Sequence, residues 1–71
     1  MQTIRVFNSL ESAMDYRYQN GTGGWIFKAT LESPDNDSLQ MFQAVLFSPD
    51  FTPSAIFSHP ITRGYSGCLV P

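Results

Sequence analysis

Residues 39–47 are apolar on both sides when read as a strand. Leu39, Met41, Val45 and Phe47 share one side, interrupted by Gln43, and Phe42, Ala44 and Leu46 occupy the other. Strand side chains alternate between the two sides of a sheet, so a strand apolar on both must be covered on both. A single helix layer covers one side. The chain must supply a second cover or borrow it from another molecule.

The internal candidate lies just downstream, in residues 51–57. Thr52 as helix cap with Pro53 in the first helical position is a start signal, because proline lacks an amide that would go unused there. Ser58, His59 and Pro60 stop the helix after one or two turns, since the residue before a proline resists helical geometry. Phe51, Ile56 and Phe57 would then lie over the second side of the sheet. The external candidate is another molecule.

Upstream, residues 25–32 read as the clearest strand. Trp25, Phe27, Ala29 and Leu31 form one side; Lys28, Thr30 and Glu32 form the other, with Ile26 its only apolar member. The turn-forming residues 33–38 connect this run to residues 39–47, which predicts an antiparallel hairpin. Residues 3–7 read as a short first strand with Ile4 and Val6 on one side. Asn8 or Ser9 can cap a helix beginning near Ser9, and Glu11 complements its dipole. Leu10, Ala13, Met14 and Tyr18 recur at helical spacing and are expected to face the core. Glu11, Ser12, Asp15 and Gln19 are expected in water, with Tyr16 beside Asp15 and Gln19. Asn20 and Gly21 end the helix. After a turn at residues 62–64, residues 65–70 read as a last strand. The expected fold is α+β: one domain over residues 1–71, a small antiparallel sheet of three or four strands, and one main helix packed on it. Its order is β-α-β-β-(short helix)-β.

A chain of 71 residues has a marginal core. Cys68 is its single cysteine, so no internal disulfide can form, and Cys68 with His59 cannot supply the ligands of a zinc site. Self-association or a bound partner is the remaining support, and six Phe, three Tyr and one Trp suit an interface as well as a core. The net charge is −2, and Arg5, Arg17, Lys28 and Arg63 are scattered, which argues against direct binding to nucleic acid. No stretch is apolar and long enough for a signal peptide or a membrane span, and the short glycosylation patterns at Asn20 and Asn36 carry little weight without one. The expected setting is cytoplasmic, with no cofactor and no membrane.

Little in the chain points to chemistry. His59, the only histidine, could in principle work with Cys68 or a serine and be oriented by Asp50, but the spacing is not diagnostic and a turn role is simpler. Ser66 half-matches a nucleophile elbow, with Gly64 before it and Cys68 where a second glycine belongs. Asp35 and Asp37 flank Asn36, yet Leu39, Gln40 and Leu46 stand where a calcium loop needs an oxygen ligand, a glycine and a glutamate. They read as an acidic hairpin tip able to meet a basic partner. Gly21, Gly23 and Gly24 form a possible ligand loop, since successive amides can cradle an anion, although the order helix-to-strand reverses that of phosphate-binding loops. Glu11, Asp15 and Glu32 form no identifiable catalytic pair. Trp25 continues the Phe27 side, or stands exposed beside the glycines as an anchor.

These residues lead to an expectation of a non-catalytic protein-binding module that works by occlusion. Compact inhibitors and accessory proteins of this sort are frequent among viruses and mobile elements, including those that act on host defence. The partner-binding candidates are Tyr16, Trp25, Asp35 and Asp37. The alternative is a homo-oligomeric small-molecule or nucleotide-binding protein, with the glycine loop closing a pocket at the subunit interface.

Overall fold

A computed structural model of the chain describes residues 1–29 and 44–70. Four strands and two helices follow one another as β1 (Ile4–Phe7), α1 (Leu10–Asn20), β2 (Trp25–Ala29), β3 (Ala44–Phe47), α2 (Pro53–Phe57) and β4 (Gly67–Val70). The strands form one sheet in the order β1-β3-β2-β4, every neighbouring pair antiparallel. This is the small α+β architecture expected from the sequence, in the expected order of elements. The turn expected at residues 33–38, and the strand expected over 30–32 and 39–43, fall outside the described residues.

β3 is the central organiser. Its Phe47 lies opposite both Ile4 and Trp25, and its Ala44 opposite both Phe7 and Lys28. β2 and β3 pair antiparallel, as the two strand signals predict. All four residues of β3 are buried. The double-sided apolar pattern therefore has a double cover, as its sequence requires.

Each cover starts from a helix with a sequence-encoded cap. Ser9 accepts a hydrogen bond from the Ser12 amide at the start of α1, and Gly21 ends the helix at φ 65° while its amide bonds to the Arg17 carbonyl. Thr52 accepts from the Ala55 amide at the start of α2, with Pro53 in the first turn. These bonds satisfy groups that a helix end leaves without internal partners.

On one side of the sheet, α1 lays Ala13 against Ile26, Ala44 and Leu46, with Phe7, Leu10, Tyr16 and Val70 at the margin. On the other, Phe51 and Ile56 pack on Phe27, Ala29, Val45 and Phe47, bordered by Ile4, Trp25, Ile61 and Leu69. Segment 51–57 is thus the second cover. Phe57 meets Phe27 in a T-shaped contact at 5.8 Å between ring centres and stays 47% exposed.

α2 has five residues, too few to hold a helix by backbone bonding alone. Its anchors are aromatic. Phe51 meets Phe47 edge-on at 5.1 Å, and His59 meets Phe47 edge-on at 5.7 Å. Thr62, 1% exposed, donates its hydroxyl to the Ile56 carbonyl and ties the following turns to the helix. Those turns then deliver the chain to β4, which pairs with β2 from Ile26↔Val70 to Ala29↔Gly67.

Candidate functional site

The helix periodicity places Met14 and Tyr18 in the core and Tyr16 in water. The structure reverses this. Tyr16 is half-buried, its ring 5.5 Å from that of Phe7 and beneath the Arg5 guanidinium at 4.6 Å. Met14 is 40% exposed and Tyr18 87% exposed. The side of α1 that meets the sheet runs through Leu10, Ala13 and Tyr16, with Arg17 reaching past it to donate to the Gly24 carbonyl at 3.3 Å. Apolar residues sit around much of this helix, so periodicity alone does not fix its rotation. The missing signal is that a long polar side chain such as Arg17 lies along the protein while its head finds a carbonyl.

The outward face that results has a definite composition. At 3.6 residues per turn, Glu11, Met14, Asp15 and Tyr18 fall within about 100° of helix circumference. All four are exposed. The single ion pair among the described residues joins the Met1 amine to Asp50 at 3.6 Å, so neither Glu11 nor Asp15 is neutralised by a described neighbour. The face couples two large, partly or wholly uncovered side chains to two carboxylates with no ion-pair partner among the described residues.

The other expected binding residues are scattered. Trp25 is half-buried at the margin of the Phe27–Phe47 cluster, which fits its core reading, and it also borders a shallow recess with Gly24, Pro49 and Val70. Asp35 and Asp37 lie outside the described residues. In the glycine loop, Gly21 caps α1 and Gly23 borders a cleft of about 370 Å³. Gly24, at φ 123°, sits where an added Cβ would come within 2.5 Å of the Phe47 carbonyl oxygen. Gly24 is therefore required for close approach of backbone to backbone.

The residues considered for catalysis are each held elsewhere. His59 Nδ1 accepts from the Ile61 amide at 3.1 Å, and its ring packs on Phe47 and Phe51. Asp50 accepts from the Ser48 hydroxyl, which holds its carboxyl below its ordinary value. Cys68 is exposed on β4. No recorded contact joins His59 to Cys68, Ser66 or Asp50 among the described residues. No helix there is long and apolar enough to cross a membrane.

No family model, curated protein or solved structure matches this chain. A functional reading therefore rests on its own surface.

Proposed function

We propose that this chain binds another protein and blocks one of its working surfaces, offering the outward face of α1 to a basic groove. The observation that carries this reading is Tyr18, 87% exposed on a well-capped helix, one turn from exposed Met14 and flanked by exposed Glu11 and Asp15. Helices that dock into grooves do so through side chains spaced three, four and seven residues apart. The set 11, 14, 15 and 18 has that spacing. Tyrosine and methionine are enriched at interfaces, and tyrosine is frequent among the residues that dominate binding energy. The two carboxylates would steer the face toward lysine- and arginine-lined surfaces and penalise acidic ones. A compact inhibitor of a host defence protein, encoded by a virus or mobile element, is a setting that suits this equipment.

The homo-oligomeric alternative has less support. Its motive was an uncovered side of the sheet, and residues 51–57 of the same chain lie over that side.

The test is affinity capture from the natural host lysate with three versions of the chain: wild type, Met14→Ala/Tyr18→Ala, and Ser54→Ala as a surface control on α2. The reading expects a stoichiometric partner with wild type and control, lost with the double variant, and inhibited when the wild-type chain is added to the purified partner. Capture that ignores the α1 substitutions would sink it.

A further inference from the structure

A cleft lies on the flank of α1, apart from its outward face. The cleft of about 370 Å³ opens between the start of β1, the end of β3 and the loop after α1. Its size lies within the range of small-molecule pockets, toward the low end. Polar groups on its walls come from Thr3, Arg5, Asn20, Thr22 and Ser48, and among the described residues no aspartate or glutamate lines it. Asp50 stands behind two of the lining residues, accepting from the Ser48 hydroxyl and pairing with the Met1 amine.

Arg5 is the decisive residue. Its guanidinium lies over the Tyr16 ring at 4.6 Å, and Tyr16 is braced in turn by Phe7 and by its place on α1. The contact engages the guanidinium through its charge and leaves its N–H groups able to donate to an acceptor. Those donors form a fork that matches two oxygens of a carboxylate or phosphate. Among the described residues Arg5 has neither a carboxylate partner nor a hydrogen-bond acceptor. A cation set over an aromatic ring, beside the hydroxyl and amide groups of the cleft, is suited to receive an oxyanion.

We infer that this cleft binds a small oxyanion-bearing molecule, a phosphate ester or carboxylate no larger than a mononucleotide, through the Arg5 guanidinium that lies over Tyr16. The loop glycines enter here in a different role from that of a phosphate-binding loop. Gly21 ends α1 and Gly23 shapes the rim, so the charge recognition falls to Arg5 rather than to a helix N-terminus.

The experiment is an NMR titration of the isotope-labelled full chain with inorganic phosphate, adenosine monophosphate and succinate, with uncharged adenosine as the control. The inference expects saturable shifts at Arg5 Nε–H and the Thr22 and Gly23 amides with at least one oxyanion and none with adenosine. A phosphate preference identifies a phosphate ester as the ligand class, and a succinate preference a carboxylate. Arg5→Ala should weaken binding about tenfold or more, and Arg5→Lys nearly as much, because lysine keeps the charge but loses the fork. Unchanged amide dispersion in both variants checks that the fold persists. Absence of saturable shifts with all three anions, or equal affinity in Arg5→Ala, would overturn the inference.

Discussion

The two sides of the sheet are built on opposite plans. Beneath α2 the packing is heavy: Phe27, Phe47 and Phe51 interlock with Val45 and Ile56, and a helix of five residues is held almost entirely by what it covers. Beneath α1 the packing is light. Ala13 and Ala44 let an 11-residue helix lie close to Ile26 and Leu46. The heavy side carries the stability of a small domain. The light side supports a longer helix whose outer face is free to do something else.

That contrast can be broken most forcefully at Phe47. Phe47→Ala removes the ring that meets Phe51 and His59 and should cost about 3–5 kcal/mol, enough to unfold much of a domain this small. Chemical denaturation would show it as a lowered midpoint, or as no folded baseline at all. A loss below about 1 kcal/mol would mean that the aromatic cluster is not the stabilising half.

Thr62→Val tests the tether on the same side. It keeps the volume but deletes the buried hydroxyl that donates to the Ile56 carbonyl, and the expected loss is about 1–3 kcal/mol. Hydrogen exchange should then quicken first in residues 56–65. Tyr18→Ala tests the other side: a residue 87% exposed should change stability by no more than about 0.5 kcal/mol, leaving any loss of binding attributable to the lost ring.

The smallest effect belongs to Asp50. The Ser48 hydroxyl is the main cause of its lowered pKa, desolvation opposes it, and the backbone and the Met1 amine add to the lowering. A carboxylate depressed on folding contributes stability above its unfolded pKa and loses it as pH falls through the folded value. Thermal melts of wild type and Asp50→Asn should therefore differ slightly at neutral pH and converge below the ordinary value of 3.8.

Much of this arrangement was legible in the residues. Ser9, Thr52 and Pro53 mark both helix starts, Gly21 marks a helix end, and the alternation of residues 25–29 assigns Phe27 and Ile26 to their correct sides. The demand of Val45 and Phe47 for a second cover led directly to Phe51 and Ile56. The rotation of α1 was not legible. Met14, Tyr16 and Tyr18 are similar enough in hydrophobicity that only the tertiary contacts of Tyr16 with Phe7 and Arg5 choose between them. The cleft was hidden for a related reason, since it joins Arg5, Thr22 and Ser48 from three separate parts of the chain. Nor could local pattern reveal that β4 pairs with β2, or that Thr62 locks α2, because both depend on contacts made after the chain has returned.

Everything in the contrast depends on the far side of the sheet being closed by the same chain. An isotope-filtered NMR experiment on an equimolar mixture of labelled and unlabelled protein measures this directly. Ring contacts of Phe47 with Phe51 and His59 should appear within single chains and persist on dilution, with Tyr18 making no such contact to the core. Contacts of Phe47 seen only between labelled and unlabelled molecules would contradict it, and would make that side of the sheet an interface between copies.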